Sequence, residues 1–324
     1  MISVTSFNKK PVAVMGLGKT GISVARSLNS GGADVWAWDD AETQRNEAKA
    51  AGVNIVDLYQ CDWQKPAALV LSPGIPDQNP QPHIIANKAR EHGCEIICDI
   101  ELLARSIHKS FFIGVTGTNG KSTTAALLGH ILVTAGRRVE IGGNFGIPAL
   151  ELEPMGSDGI YVLELSSYQL ERIFSVSLNI SILLNISPDH LERHGGMEGY
   201  VASKVSILKQ THSDGIVVIG MDDPHCRGIV LEMMAHNKFS SKNIIPISGK
   251  SRVPGGFYVE GSILIDDTEY QPQPLIDLSK FETLTGRHNW QNIAAAVSVA
   301  RVIGVETPII VKAITDFPGL AHRQ

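Results

Sequence analysis

Short apolar runs recur along the chain, and segments with the apolar spacing of a helix lie between several of them. The strand-like runs are Val12–Met15, Asp34–Trp38, Ala68–Leu71, Phe111–Val115, Ile160–Leu163, Ile180–Leu184 and Ile216–Ile219. Helical stretches include Gly21–Asn29 and Ser122–Ala135. This alternation predicts an α/β fold with mostly parallel sheets. Within residues 255–270, the runs FYVE and ILID flank a Gly-Ser turn and predict a β-hairpin.

The chain has 324 residues, which favours two domains. A strand followed by a glycine-rich loop occurs twice, opening at Val12 and at Phe111, and each is expected to start its own sheet. The polar stretch Ser106–Ser110 lies between them. We therefore predict a first domain over residues 1–106 and a central domain over residues 107–318, with residues 319–324 beginning a linker.

Composition and charge restrict the class of protein. Hydrophobic residues make up 43% and charged residues 19%, and the net charge is −5. These are ordinary globular values, and the negative charge argues against a broad nucleic-acid surface. The sequence lacks a membrane-length apolar segment, a signal-peptide pattern and a CxxC pair. We expect a cytoplasmic protein with reduced cysteines and neither a nucleic-acid nor a membrane partner.

The first glycine loop, Gly16-Leu17-Gly18-Lys19-Thr20-Gly21, is a complete GxGxxG between a predicted strand and a predicted helix. This context is typical of a Rossmann-like domain, in which the loop lets the backbone approach a diphosphate. Asp39-Asp40 ends the next strand, where NAD enzymes carry an acid for the ribose hydroxyls. From these residues alone, NAD, another nucleoside diphosphate and a structural turn all remain open. Ser72-Pro73-Gly74 is either an ordinary strand-exit loop or part of the same ligand site.

The second loop has the composition of an ATP-binding P-loop. Residues 116–123 read TGTNGKST and lie between a strand and a helix. The first glycine of the standard GxxxxGK[ST] pattern would fall at Val115, so the loop departs from it. Lys121 would still reach phosphates, and Ser122 would hold Mg²⁺. The sequence thus predicts a P-loop ATPase-like central domain.

Two further strand ends carry groups suited to a metal or a phosphate. Glu164 closes an apolar strand, a costly position for a carboxylate without a cation or donors. The next strand ends before Ser187-Pro188-Asp189-His190, where we expect Ser187 to cap a helix that has Pro188 in its first turn. Asp189 and His190 would then project near the carboxyl edge of the sheet.

Taken together, these motifs resemble the Mur ligase family. The residues that carry the resemblance are TGTNGKST (116–123), GGNFG (142–146), ELSSYQLE (164–171), NISPDHLERH (185–194), the lysine of YVASK (200–204), GRHNWQNIAAA (286–296) and GLAHR (319–323). GLGKTG with LSPG resembles the members that add D-glutamate to UDP-MurNAc-L-Ala. The resemblance implies that ATP activates the L-alanine carboxylate as an acyl phosphate, which the amine of D-glutamate then attacks. It also implies a monomer in peptidoglycan precursor synthesis.

The resemblance implies roles for individual residues. Lys121 would contact the ATP phosphates, Ser122 and Glu164 one Mg²⁺, and His190 and a carbamylated Lys204 a second Mg²⁺. The implied ATP-binding residues are Thr116, Gly117, Thr118, Asn119, Gly120, Lys121, Ser122 and Thr123, with Asn289 at the adenine and Arg323 at the phosphates. The implied residues for UDP-MurNAc-L-Ala are Gly18, Lys19, Thr20, Asp39, Ser72, Pro73, Gly74, Asn144, Ser166 and His190. The first loop would then hold the UDP diphosphate.

Family members carry a third, C-terminal domain that helps to bind ATP and the amino acid. Since the sequence stops at Gln324, we expect a two-domain fragment with absent or very weak ligase activity. Three alternatives remain: a ligase that adds L-alanine to UDP-MurNAc, a non-catalytic nucleotide-binding protein and an NAD-dependent oxidoreductase. The last would leave the second loop unexplained.

Overall fold

The computed structural model describes residues 1–235, 243–269, 271–281, 284 and 286–319. The strands are β1 Pro11–Met15, β2 Asp34–Trp38, β3 Ala68–Leu71, β4 Glu95–Ile97, β5 Phe111–Thr116, β6 Arg138–Gly143, β7 Gly159–Glu164, β8 Leu178–Leu183, β9 Thr211–Gly220, β10 Ile244–Ser248, β11 Phe257–Glu260, β12 Ile263–Asp266 and β13 Gln273–Asp277. The helices are α1 Lys19–Ser30, α2 Glu42–Ala50, α3 Ile84–Glu91, α4 Asp99–Ser106, α5 Lys121–Thr134, α6 Ser167–Leu170, α7 Met197–Lys209, α8 Pro224–Ala235, α9 Arg287–Val302 and α10 Thr307–Thr315.

The strands form two sheets. The first has the order β2-β1-β3-β4 and is parallel throughout. The second has the order β13-β12-β11-β10-β9-β8-β5-β7-β6, and its strands are parallel except where β12 pairs with β11 and β13. Both β1 and β5 lie inside their sheets, so the loops that follow them emerge at the carboxyl edge between neighbouring strands. This position is the ligand-binding crevice of open α/β sheets.

Apolar residues cover both faces of each sheet, as parallel sheets require. One cluster packs α5, α9 and α10 against the central sheet. Ala294–Ala296 are fully buried there, as expected for helix packing. Another continuous cluster runs from the first sheet through α1 and α4 into the central sheet. The two sheets therefore share a packed boundary.

The α/β prediction with mostly parallel sheets is confirmed, as are the predicted strands and the 255–270 hairpin. The chain passes from α4 to β5 between Ser106 and Phe111, where we placed the boundary. The exact domain limits stay a prediction, and residues 320–324 lie outside the described residues. No helix in the described ranges is both long and apolar enough to cross a bilayer.

Candidate functional site

The first glycine loop and the β3 exit loop line one open cavity of about 430 Å³. The lining includes Gly16, Gly18, Lys19, Thr20, Gly21, Asp39, Asp40, Ser72, Pro73, Gly74 and His83. Gly18 precedes α1 with no side-chain cap, so the first amides of that helix face the cavity region without a protein cap. An anionic group would complement them. The predicted diphosphate residues are thus brought together at one place.

Steric contacts explain why Gly16 and Gly21 of this loop are glycines. A Cβ on Gly21 would lie 1.8 Å from the Gly16 carbonyl oxygen, so α1 packs against the loop only without a side chain there. Gly16 has a φ of +92°, and its Cβ would lie 2.6 Å from the Ser72 hydroxyl. That hydroxyl donates to the Gly16 carbonyl at 3.0 Å. The β3 exit loop is therefore tied to the glycine loop.

Asp39 and Asp40 have different surroundings. The Asp39 carboxylate accepts the Leu17 N–H at 2.7 Å and the Ala41 N–H at 2.9 Å, so it holds the glycine loop closed. Asp40 accepts the Tyr59 hydroxyl at 2.9 Å and lies 2.9 Å from His83 Nε2. Although partial burial opposes it, the hydrogen bonds from His83 and Tyr59 leave the pKa of Asp40 lowered. Asp40 and His83 are cavity residues that the sequence analysis did not assign.

The second loop is held by the strand beside it. The Thr118 N–H donates to the Asn185 carbonyl at 2.8 Å, and the Asn119 N–H donates to the Asn185 side chain at 2.9 Å. Gly120 has a φ of +87° and precedes α5, again with no side-chain cap. The first turn of α5, which holds Lys121, Ser122 and Thr123, therefore presents backbone amides at the carboxyl edge of the sheet. Such a helix start binds phosphate groups.

Two lysines meet at the start of this loop. Lys121 Nζ and Lys204 Nζ each donate to the Gly117 carbonyl at 2.9 Å. Lys204 lies in α7 and is 2% exposed. Burial, followed by the neighbouring Lys121 charge, lowers the pKa of Lys204 to about 7. A lysine that would otherwise be assigned to a solvated helix face is thus part of the site.

Glu164 ends β7, where it pairs in register with Val115 of β5. Its side chain is buried, and Oε1 accepts the Asn144 Nδ2–H at 3.0 Å. Its other oxygen, Oε2, is buried with no hydrogen-bond partner among the described residues. A buried carboxylate oxygen without a donor is costly and fits a site for a cation. Ser166 nearby caps α6 in a capping box with Gln169.

His190 lies beside this edge, but the helix predicted from Ser187 is wrong. Ser187 N–H donates to Thr118 Oγ1 at 3.0 Å, and Ser187 carbonyl accepts from the same hydroxyl at 3.1 Å. These bonds tie residue 187 to the second glycine loop, and the next helical element does not begin until Leu191. His190 is left-handed, with a φ of +50°, and precedes a short 3₁₀ helix over Leu191–His194. Its side chain is half exposed and lies 3.5 Å from Asp189.

Residues that the sequence analysis did not single out support the His190 loop. His194 is buried between Glu171, at 2.7 Å from Nδ1, and the Ser167 hydroxyl, at 3.0 Å from Nε2. Its ring stacks on the Tyr168 ring, with 5.3 Å between the centroids. The Arg193 guanidinium lies 4.6 Å from the centroid of the same Tyr168 ring. A histidine in a polar motif gave no signal of such burial.

The amide of Asn289, predicted at the adenine, lies on α9 and accepts the Asn292 Nδ2–H at 3.3 Å. Asn292 packs beside Gly120, so the start of α9 lies against the second loop. Arg323 lies outside the described residues. Within those residues, no group of three or more His, Cys, Asp and Glu side chains is placed to hold a metal ion. Any metal here would rely on fewer such ligands.

The fold and site define a two-sheet α/β protein with two glycine loops of the nucleotide-binding kind. Residues 115–300 match the Mur ligase middle domain, and residues 10–98 match the Mur ligase MurD-like N-terminal domain. The chain therefore belongs to the Mur ligase family.

Relatives and solved structures agree with this assignment. Proteins named UDP-N-acetylmuramoylalanine–D-glutamate ligase from Caulobacter sp. (strain K31) and Phenylobacterium zucineum (strain HLK1) are each 46% identical over 100% of this chain and 70% of the relative. A crystal structure of UDP-N-acetylmuramate:L-alanyl-gamma-D-glutamyl-meso-diaminopimelate ligase from Neisseria meningitides superposes with a TM-score of 0.65 at 18% identity. It covers 96% of this chain and 99% of that one. At this identity the superposition supports the fold.

Proposed function

We propose that this chain serves the ATP-dependent ligation of D-glutamate to UDP-MurNAc-L-Ala in peptidoglycan precursor synthesis. Relatives that carry this ligase name match the whole chain at 46% identity. The observation that carries the proposal is the meeting of Lys121, Lys204 and buried Glu164 beside the second glycine loop. The Lys121 cation next to a helix start suits a polyphosphate, and the Glu164 carboxylate with a modified Lys204 suits its metal ions.

The first cavity would bind the UDP part of the acceptor. The amides of Gly18, Lys19 and Thr20 would meet the diphosphate, since Gly18 leaves the start of α1 without a side-chain cap. Ser72, Pro73 and Gly74 would contact the nucleotide from the facing loop. Asp39 would act by holding the Leu17 amide, and through it the loop.

The second loop would bind ATP. The amides of Thr116–Thr123 would surround the phosphates, and Lys121 would turn from the Gly117 and Thr118 carbonyls toward them. Asn289 would meet the adenine, because the start of α9 lies against Gly120. Arg323 keeps its assigned role at the phosphates as a prediction.

The donors present fit Mg²⁺, a hard cation that prefers oxygen. Glu164, with its unpartnered buried oxygen, and Ser122 would hold one ion, and His190 and a modified Lys204 a second. Bound there, Mg²⁺ would neutralise charge on the phosphates and on the incoming carboxylate. Asn144 would keep Glu164 oriented through its 3.0 Å hydrogen bond.

We further propose that Lys204 is carbamylated. Its ammonium is buried beside Lys121, an environment that favours the neutral amine, which is the nucleophilic form. The amine would add to CO₂ and release one proton, leaving an N–COO⁻ group. That change turns a buried cation into an oxygen donor for a metal, and it would also remove the repulsion between the two lysines.

In the reaction itself, the chain positions groups and neutralises charge. Ser166 and His190 would orient the alanyl end of the acceptor, so that its carboxylate lies near the terminal phosphate of ATP. Lys121 would stabilise the negative charge that develops on that phosphate. The D-glutamate amine would then displace phosphate from the activated carboxylate.

Isothermal titration with UDP-MurNAc-L-Ala tests the proposal, with UDP-MurNAc and NADH as matched controls. We expect the alanyl nucleotide to bind at least tenfold more tightly than either control. A preference for UDP-MurNAc would point to an L-alanine-adding ligase, and binding of NADH alone would overturn the assignment of the first loop.

A second measurement separates an enzyme from a nucleotide-binding protein. Labelled D-glutamate is incubated with the chain, UDP-MurNAc-L-Ala and Mg-ATP, and incorporation into the nucleotide is followed. Incorporation that needs all three components supports the ligase and contradicts the expectation that this chain alone has absent or very weak activity. Absent incorporation agrees with that expectation, and the binding measurements then separate the two classes. A non-catalytic protein would be favoured if the chain binds the UDP-sugar and if substitutions of Glu164, His190 or Lys204 leave its Mg²⁺-dependent ligand binding unchanged. The cytoplasmic location and monomeric state stay predictions.

A further inference from the structure

Arg172 crosses from the central sheet to the loop that lines the first cavity. It follows α6, and its side chain is 2% exposed. Nη1 donates to the carbonyls of Leu71 and Ser72 at 3.1 and 3.2 Å, and Nη2 donates to the Ile75 carbonyl and the Asp77 carboxylate, both at 2.8 Å. One guanidinium thus fixes both ends of the loop that holds Ser72, Pro73 and Gly74.

This contact is energetically demanding. Burial of a charged guanidinium costs several kcal/mol unless hydrogen bonds and an opposite charge compensate. Here Asp77 supplies the charge and three carbonyls supply acceptors, while Arg172 Nε has no partner among the described residues. A planar fork that meets several acceptors at set angles is suited to orienting a loop, and a lysine has no equivalent geometry.

The backbone of Arg172 is connected to the carboxyl edge of the central sheet at Glu164 and Ser166, which we call the phosphate-transfer edge. The residue lies eight positions after Glu164, on a segment made rigid by the Ser166–Gln169 capping box. Gln169 Nε2 donates to the buried Asp99 at 3.0 Å, which anchors the same segment to the start of α4, just after the last strand of the first sheet. The loop of the first cavity and the residues around Glu164 are therefore joined through buried bonds.

We propose that Arg172 is a positioning residue that couples the first cavity to the phosphate-transfer edge. It holds the Leu71–Asp77 loop at a fixed place relative to Glu164 and Ser166. A ligand bound by the loop therefore extends to the second site with its reacting group correctly positioned. This inference rests on the proposed function for the nature of the two ligands. A displacement of about 1 Å at a reacting group costs as much as 100-fold in rate, which is why a rigid link matters.

Arg172→Met tests the coupling, with Arg105→Met as the matched control. Arg105 is another mostly buried arginine, and its guanidinium bonds Glu95 and Glu101 rather than the 71–77 loop. The Ser72 and Ile75 amides donate to the Met15 and Ser72 carbonyls, both at 3.0 Å. In the ligand-free chain, hydrogen exchange of these two amides should accelerate at least tenfold in Arg172→Met and less than twofold in Arg105→Met. This readout needs no substrate, so it stands even if the proposed function fails.

The coupling is then measured by titration of UDP-MurNAc-L-Ala with and without saturating Mg-ADP. We expect Mg-ADP to change the affinity of the unmodified chain at least fivefold, within the usual range of coupling between sites. Arg172→Met should reduce that factor to about one, while Arg105→Met keeps it. Arg172→Lys, which keeps the charge, provides a second variant if the methionine variant does not fold, and should restore less than half of the loop protection.

Three results would overturn the inference. The first is an unchanged hydrogen-exchange rate of the Ser72 and Ile75 amides in both Arg172 variants. The second is a preserved coupling factor in a variant that has only lost thermal stability, which would make Arg172 a residue of the fold alone. The third is equal behaviour of the Arg172 and Arg105 variants. If the unmodified chain does not bind UDP-MurNAc-L-Ala, the proposed function fails, and the exchange result still decides whether Arg172 holds the loop.

Discussion

Lys121 and Lys204 share one acceptor, the carbonyl oxygen of Gly117, and each ammonium lies 2.9 Å from it. One lysine comes from the glycine loop and the other from α7, more than eighty positions later in the chain. Burial disfavours the charged form of Lys204, and repulsion from the Lys121 charge at the same oxygen adds to this effect. Lys204 is the buried one, and its pKa falls to about 7 from the ordinary lysine value.

The first prediction is a pH-dependent penalty at Lys204. The folded state disfavours its charge, so between pH 7 and the ordinary value of 10.5 the unfolded chain binds more protons and stability rises with pH. Below pH 7 both states are protonated, and the penalty is complete, on the order of a few kcal/mol. In metal-free, CO₂-free buffer, Lys204→Met should therefore stabilise the chain more at pH 6 than at pH 9, measured by urea unfolding. The exposed Lys209→Met in α7 serves as the control, and an equal gain at both pH values would contradict the assignment.

The second prediction concerns Glu164, whose buried Oε2 lacks a partner among the described residues. Glu164→Gln keeps the shape but removes the charge, so it should weaken Mg-ATP binding at least tenfold, about 1.4 kcal/mol, and leave metal-free ATP binding within twofold. The stability of the ligand-free chain should not fall, because a buried charge is removed. Titration with and without Mg²⁺ measures both effects. Glu192→Gln, an exposed change on the His190 loop, controls for charge; an equal loss without Mg²⁺ would rule Glu164 out as a metal ligand.

The sequence predicted the sheets where apolar runs were uninterrupted, as in β3 and β7. It did not predict β4, β6, β10 or β13. Glu95–Ile97 is only three residues long, Arg138–Gly143 mixes polar residues with glycines, and Ile244–Ser248 and Gln273–Asp277 each contain a proline. Those strands form since neighbouring strands offer hydrogen bonds, and this information is not local. The loops between strands behaved in the same way. Ser187 and Pro188 had the local chemistry of a helix start, but the Ser187 backbone is hydrogen-bonded to the Thr118 hydroxyl, which lies on a distant loop.

Site residues were also predictable where the signal was local to a motif and unpredictable where it depended on distant segments. Motif chemistry indicated that the residues of the first glycine loop gather at one place, and they line one cavity; it also indicated that Lys121 opens a helix after the second loop, and Lys121 is the first residue of α5. Arg172 and His194 gave no local signal, since each has partners on a segment away from its own position in the chain. The strand end indicated Asp40 as an acid, but not its pairing with His83. Long-range pairs of buried polar groups are set by the tertiary fold.

The third prediction separates two roles for Asp39. The structure uses both of its oxygens on backbone amides, those of Leu17 and Ala41. Asp39→Asn should therefore destabilise the ligand-free chain by about 1–2 kcal/mol, the cost of weakening charge-assisted bonds, and weaken UDP-MurNAc-L-Ala binding as a consequence. Asp34→Asn, at the exposed start of the same strand, should change neither quantity. If Asp39 acted only by contact with the ligand, binding would weaken with no change in the unfolding free energy.

The last prediction concerns Gly120, which has a φ of +87° and would bring a Cβ to 2.1 Å from Asn292 Oδ1. Gly136, just after α5, has a similar φ of +74° and nothing within 4 Å of its Cβ position. Both substitutions by alanine carry the backbone cost of a left-handed residue, about 1 kcal/mol. Only Gly120→Ala must also displace a buried amide that holds α9 against the glycine loop. We therefore expect the unfolding free energy of Gly120→Ala, measured in urea, to fall by about 1–3 kcal/mol more than that of Gly136→Ala. Titration should also show that Gly120→Ala has lost ATP binding. Equal losses from the two variants would mean that the contact between Gly120 and Asn292 does not shape the loop, and that the adenine side of the site is organised from elsewhere.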